Sequence, residues 1–122
     1  MAGSKDKKNK NSSTGKSVDR KNSLSEPFEL EWTEYSKADY DSLDGSQLIF
    51  VDKALNRIRL LGMEAGVPLT RELIGCRKLK HRKLGLRIVF RQSEKGIQII
   101  QIVAIGSRGD SVVYNQSKAR LL

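Results

Sequence analysis

The chain has 122 residues, of which 38% are hydrophobic and 30% charged, enough for one domain with a modest core. Its 23 Lys and Arg outnumber 14 Asp and Glu, and the net charge of +9 favours an anionic partner such as nucleic acid or an acidic protein. One cysteine and one histidine cannot form an intrachain disulfide or a Cys/His zinc site, and no segment reaches the roughly 18 apolar residues of a membrane span. We therefore expect a protein in a reducing, cytoplasmic setting.

The first 26 residues differ in composition from the rest of the chain. They consist mostly of Lys, Asn and Ser, with seven basic and three acidic residues. Such a segment buries too little apolar surface to offset its ordering entropy. The sequence thus predicts a disordered basic tail over residues 1–26 and a folded domain over residues 27–122.

The folded domain begins with one strand and two helices. Apolar and polar residues alternate over residues 28–33, which is typical of a half-buried strand. Ser36 and Asp39 resemble a capping box and indicate a short helix over residues 37–43. Apolar residues at helical spacing then predict a longer helix over residues 46–62.

Three strands follow, over residues 76–81, 85–92 and 97–106. The third is almost continuously apolar, as expected for a strand buried on both faces. The remaining residues, 111–122, begin extended and end amphipathic, which favours a short C-terminal helix. This order predicts an α+β fold in which a mostly antiparallel sheet packs on the helices, with the helices on one face.

Positive charge is concentrated on the predicted hairpin, residues 76–91. This segment holds seven Lys and Arg, one His and no acidic residue, although like charges destabilise neighbouring strands. Lys78 and Lys80 are two residues apart and share a face, and Arg87 on the next strand can lie beside them. The opposite face is apolar and can pack on the helices. A phosphate ligand would explain the density of charge on the free face.

Residues 76–122 resemble the C-terminal half of the RelE/ParE-type toxins of bacterial toxin–antitoxin modules, and the order of elements from residue 28 onward agrees with that family. The similarity is greatest to RelE, a ribosome-dependent mRNA endonuclease. Motif positions of the family are filled by two lysines in "KLK", by the arginines of "GLRIVF" and "IGSR", and by the tyrosine of "SVVY". In this chain these residues are Lys78, Lys80, Arg87, Arg108 and Tyr114.

The resemblance implies an endoribonuclease that cleaves mRNA in the ribosomal A site through attack of the 2′-OH on the adjacent phosphorus, without a metal or other cofactor. Lys78 or Lys80 would be the base. Arg87 and Arg108 would hold the phosphate, with Arg108 near the leaving 5′-oxygen. Tyr114 would stack on a base or orient the RNA strand.

The other basic residues of the hairpin are interpreted as RNA contacts. His81 does not fall on a position that RelE-type enzymes use, although histidine serves some relatives, and we expect it to face solvent near the turn. The predicted RNA-binding residues are Arg77, His81, Arg82, Lys83 and Arg91.

The resemblance also implies partners. These are the ribosome, its messenger RNA and a cognate antitoxin that forms a hetero-oligomer with the toxin and covers the region around residues 115–122. Two alternatives stay open: a ParE-like inhibitor of DNA gyrase on the same fold, and a non-catalytic basic RNA-binding domain. On composition alone, a basic strand face more often binds nucleic acid nonspecifically than catalyses a reaction.

Overall fold

The computed structural model describes residues 27–107 and 110–121. The predicted tail, residues 1–26, lies outside this range. Within it, the chain forms a five-stranded sheet and three α-helices. The elements are β1 (Glu29–Trp32), α1 (Glu34–Asp41), α2 (Gly45–Leu61), β2 (Val67–Pro68), β3 (Cys76–His81), β4 (Leu86–Gln92), β5 (Ile99–Gly106) and α3 (Asp110–Leu121).

The sheet has the strand order β1-β5-β4-β3-β2. Strand β1 runs parallel to β5, and the other three pairs are antiparallel. The predicted α+β fold with a mostly antiparallel sheet is therefore confirmed. Strand β5 lies between β1 and β4, which agrees with its nearly continuous apolar sequence.

Helix α2 covers one face of the sheet. Asp44 caps its first turn by accepting a hydrogen bond from the backbone N–H of Gln47 at 2.9 Å. Within the described ranges, no helix combines the length and apolarity that a membrane span requires. The core on this face contains residues from α2, β4 and β5, including Val51, Leu55, Ile58, Leu86, Ile88, Phe90, Ile100 and Ile102.

Helix α3 covers the opposite face, so the prediction that all helices lie on one face is wrong. A second, smaller core lies there, formed by Leu73, Cys76, Val89, Val103, Ala104 and Val113. The reason is that β4 and β5 present apolar side chains on both sides of the sheet. Each side needs a covering element, because exposed apolar surface is unfavourable in water.

Helix α1 begins earlier than predicted. Thr33 is its N-cap, and the Thr33 hydroxyl accepts a hydrogen bond from the Ser36 backbone N–H at 3.0 Å. Ser36 is thus the third helical residue of a capping box, not the cap itself. As a consequence Asp39 lies inside the helix, where its carboxylate is available for tertiary contacts.

Residues 62–75 connect α2 to β3 through two short 3₁₀ turns and the edge strand β2. Gly62 ends α2 with a φ of 61°, a conformation that favours glycine. A Cβ atom at this position would lie 2.5 Å from the Phe28 ring. Strand β2 was not predicted, since two paired residues at a sheet edge leave no periodic pattern in the sequence.

Candidate nucleic-acid interface

Three of the predicted site residues project from one face of the hairpin β3–β4. In the antiparallel register Lys80 lies opposite Arg87, and Lys78 lies opposite Val89. Because side chains alternate along a strand, both lysines and Arg87 project from the face that carries α3. Lys80 is exposed and Lys78 is half-buried. The register therefore places three cations together next to the C-terminal helix.

Arg87 is the most enclosed of these cations, with only 7% of its surface exposed. Its guanidinium donates a hydrogen bond to the backbone carbonyl of Gly85, in the turn between β3 and β4. Gly85 has a φ of 66°, which a residue with a side chain rarely adopts. A partly desolvated, fixed guanidinium exerts a stronger field on a nearby phosphate than one that is fully hydrated. Arg87 is thus suited to hold an anion in one position.

Tyr114 on α3 contacts the cation cluster of Lys78, Lys80 and Arg87 through Lys78. The Lys78 ammonium lies 5.7 Å from the centroid of the Tyr114 ring, within the usual range of a cation–π contact. The Tyr114 hydroxyl is buried, and among the described residues it has no hydrogen-bond partner. Through Tyr114, the position of α3 helps to define the position of Lys78.

Arg108 lies outside the described residues. Strand β5 ends at Gly106 and α3 begins at Asp110, so Arg108 belongs to the connection between them. A Cβ atom on Gly106 would come within 2.9 Å of the Val113 side chain. Gly106 and Val113, which lie on either side of Arg108 in the sequence, are therefore close together.

Two predicted RNA contacts, Arg77 and His81, lie on the other face of the sheet. Arg77 donates a hydrogen bond to the carbonyl of Gly66 at 3.2 Å. The His81 ring packs edge-on against Phe50, with 4.8 Å between centroids, and its Nδ1 accepts the backbone N–H of Leu84 at 3.2 Å. His81 is accordingly half-buried. The structure does not bring these two side chains to the lysine face.

The remaining predicted contacts flank the cluster. Arg82 and Lys83 are exposed in the turn between β3 and β4. Arg91 lies on the α3 face near the far end of β4, where its Nε donates to the Gln101 side chain at 2.7 Å. The basic surface therefore extends beyond Lys78, Lys80 and Arg87 in both directions along the hairpin.

One ion pair, between α1 and α3, was not predicted from the sequence. The carboxylate of Asp39 on α1 accepts two hydrogen bonds from Arg120 on α3, at 2.7 and 3.3 Å. The side chains are 18% and 16% exposed respectively. The two residues are 81 positions apart, and no local pattern connects them.

The chemistry on this face comes from lysine, arginine and tyrosine side chains. In the part of the chain that the structure describes, no three His, Cys, Asp or Glu residues come together in a way that could hold a metal ion. Lysine and arginine can stabilise the negative charge that develops during phosphate chemistry, and lysine can also transfer a proton.

No protein-family model matches the sequence, and no curated protein matches it either. Solved structures do match. A mutant of the Escherichia coli toxin RelE in the free state is 22% identical, with a TM-score of 0.64 over 79% of this chain and 99% of RelE. The toxin–antitoxin complex RelBE2 of Mycobacterium tuberculosis gives 21% identity and a TM-score of 0.57, over 69% of this chain and 94% of the matched chain.

A third match is the E. coli RelE mutant bound to a peptide of the antitoxin RelB. It is 22% identical, with a TM-score of 0.55 over 75% of this chain and 94% of the matched chain. All three matches include nearly the whole of the matched chain. The protein therefore has the fold of the RelE toxins.

Proposed function

We propose that this protein is the toxin of a toxin–antitoxin module and acts as an endoribonuclease on messenger RNA in the ribosomal A site. The observation that carries the proposal is the grouping of Lys78, Lys80 and Arg87 on one face of a RelE-like fold, with Tyr114 against Lys78. Such a surface is suited to hold a phosphodiester and to stabilise charge on it.

The reaction that fits these side chains is transesterification by the RNA itself. The 2′-oxygen attacks the adjacent phosphorus, the bond to the 5′-oxygen breaks, and the products carry a 2′,3′-cyclic phosphate and a 5′-hydroxyl. Lys78 or Lys80 accepts the 2′ proton, and Arg87 holds the phosphate oxygens. Arg108 is proposed to stabilise the leaving 5′-oxygen by its charge, since arginine stays protonated.

The ribosome is proposed to supply the RNA geometry that this small surface lacks. Lys80 is exposed, and the chemistry depends on holding the 2′-oxygen, phosphorus and 5′-oxygen in line. Correct positioning of this kind is worth several kcal/mol, on the order of 7–11 in favourable cases. A messenger already fixed in the A site would provide much of that positioning.

The proposed partners are an antitoxin, the ribosome and its messenger, in a cytoplasmic setting. The solved structures similar to this chain include toxins bound to antitoxins. A net charge of +9 also favours an acidic antitoxin and ribosomal RNA. The antitoxin would neutralise the toxin by forming a hetero-oligomer with it.

The test compares cleavage of one short messenger, free and positioned on a ribosome with an empty A site, at equal protein concentration. We expect cleavage only on the ribosome, with cyclic phosphate at the new 3′ end. Lys80→Gln should lose cleavage, whereas Lys53→Gln, which removes an exposed lysine from α2, should retain it.

Three results would contradict the proposal. Equal cleavage of free and ribosome-bound RNA would indicate a ribosome-independent ribonuclease. RNA binding without any cleavage would indicate a binding domain. An arrest of DNA replication before protein synthesis in expressing cells would favour inhibition of gyrase.

A further inference from the structure

Where β1 ends, side chains take over its hydrogen bonds to the edge of β5. Strand β1 pairs with β5 only as far as Ile102. Beyond that point, the N–H of Ile105 donates to the Asp39 carboxylate at 3.0 Å, and the carbonyl of Val103 accepts from Arg120 at 2.8 Å. Asp39 and Arg120 thus satisfy backbone groups that a longer strand would otherwise pair.

The same two side chains attach α3 to the sheet. Val113, Ser117 and Arg120 follow one another at helical spacing and form the side of α3 that faces β5. Val113 is buried, but Ser117 bonds to the carbonyl of Val113 in its own helix, at 2.9 Å. Val113 therefore holds the first half of α3 by apolar contact, while its last turn is held by the Arg120 hydrogen bonds together with partial packing of Leu121 on the same core.

The geometry of the Arg120 contacts restricts the rotation of α3 about its axis as well as its distance from the sheet. The guanidinium donates to both carboxylate oxygens of Asp39 and to a backbone carbonyl, and it also lies 5.3 Å from the centroid of the Tyr35 ring. A planar guanidinium with several fixed partners has few alternative orientations. Since Tyr114 lies six residues earlier on the same helix, about 9 Å along its axis, rotation of α3 would displace the Tyr114 ring from Lys78.

We propose that Asp39 and Arg120 form a positioning pair for the RNA-cleaving site. The pair holds α3 in the orientation that keeps Tyr114 against Lys78, without contacting RNA itself. This inference rests on the proposed function, because it assigns the pair a role in that reaction. A role in stability alone would lower the amount of folded protein but leave the turnover of each folded molecule unchanged.

The test uses Asp39→Asn, which preserves the shape of the side chain, and Arg120→Lys, which preserves the charge but not the planar set of donors. Asp41→Asn is the matched control, because it disrupts an exposed ion pair with Lys37 in the same helix. Cleavage on ribosomes gives kcat and KM per folded molecule, with the folded fraction measured by circular dichroism. In parallel, fluorotyrosine NMR follows Tyr114, one of only three tyrosines in the chain.

We expect kcat to fall about 10- to 100-fold in Asp39→Asn, with KM within about twofold of wild type, as for a misplaced catalytic group. The fall in kcat should be smaller for Arg120→Lys, and Asp41→Asn should have the kcat of wild type. The Tyr114 resonance should shift or broaden in Asp39→Asn and Arg120→Lys only. Wild-type kcat in folded Asp39→Asn, or an unchanged Tyr114 resonance, would overturn the positioning pair. Absence of cleavage by the wild-type protein would instead refute the proposed function, and the resonance would still decide whether the pair positions Tyr114.

Discussion

Lys80 on β3 lies directly opposite Arg87 on β4 in the antiparallel ladder. Like charges directly opposite each other destabilise a sheet. Under the proposed function, a phosphate bound between them would offset this repulsion. Binding of the phosphate would then stabilise the hairpin.

This relationship predicts that anionic ligands stabilise the folded protein through Lys80. A non-cleavable RNA oligonucleotide at about a hundred times its Kd should add roughly 2.7 kcal/mol to the stability of the wild-type protein. Thermal unfolding with and without the oligonucleotide measures the effect. The increase in Tm should be clearly smaller for Lys80→Gln and unchanged for Lys53→Gln. Equal increases in all three proteins would show that the RNA binds elsewhere.

A second prediction separates the ring of Tyr114 from its hydroxyl. The hydroxyl is buried, and no described residue bonds to it, whereas the ring contacts the Lys78 ammonium. Tyr114→Phe should keep the ring contact and remove an unsatisfied polar group, so its stability should equal or exceed that of wild type. Its cleavage rate should stay within about threefold of wild type, since phenylalanine also forms cation–π contacts.

Tyr114→Ala should lose cleavage, by about 10-fold or more, because the ring contact to Lys78 is removed. Both proteins are compared on ribosome-positioned messenger, with urea unfolding to measure stability. A large loss of cleavage in folded Tyr114→Phe would assign the hydroxyl a direct part in the reaction.

The sequence was sufficient to predict the parts of this fold that depend on local periodicity. Strand β3 has the predicted limits, and α2 differs by one residue at each end. The grouping of Lys78, Lys80 and Arg87 on one face follows from the two-residue repeat of a strand and a short turn. These features need no information from distant parts of the chain.

Features that depend on distant contacts were not predicted. The parallel pairing of β1 with β5 joins segments about seventy residues apart, and the position of α3 depends on which face of the sheet remains uncovered. Asp39 was assigned to a helix cap from its spacing to Ser36, although its partners are Ile105 and Arg120.

A third prediction concerns residues 1–26, which carry a net charge of +4. Deletion of these residues should leave circular dichroism and kcat unchanged. Affinity for ribosomes should decrease, and its dependence on salt should become weaker, because each lost phosphate contact lowers the slope of log K against log salt by about 0.7–0.9. Binding measured across a salt series checks this, and a truncated protein that fails to fold would contradict it.

The last prediction concerns Glu31, which fastens the edge strand β1 to the turn after β4. Its carboxylate accepts a hydrogen bond from the Ser93 hydroxyl at 2.6 Å and pairs with Lys95 at 3.2 Å. The Ser93 hydrogen bond, assisted by Lys95 and opposed by partial burial, lowers the pKa of Glu31 below its usual value of 4.5. Because the folded state binds this proton less readily than the unfolded state, Glu31 stabilises the fold above about pH 4.5, and this contribution is lost as the pH falls through the lowered pKa.

Glu31→Gln should therefore lower the free energy of unfolding by about 1 kcal/mol near pH 7, the usual cost of weakening a charged hydrogen bond at a partly exposed site. The difference from wild type should shrink as the pH falls below about 4.5, because the wild-type carboxyl is then neutral as well. Urea unfolding at a series of pH values measures both effects. Glu29→Gln, an exposed position on the same strand, is the control and should show no such pH-dependent difference. A Glu31→Gln difference that persists unchanged at low pH would mean that the side chain stabilises β1 through packing, not through its charge.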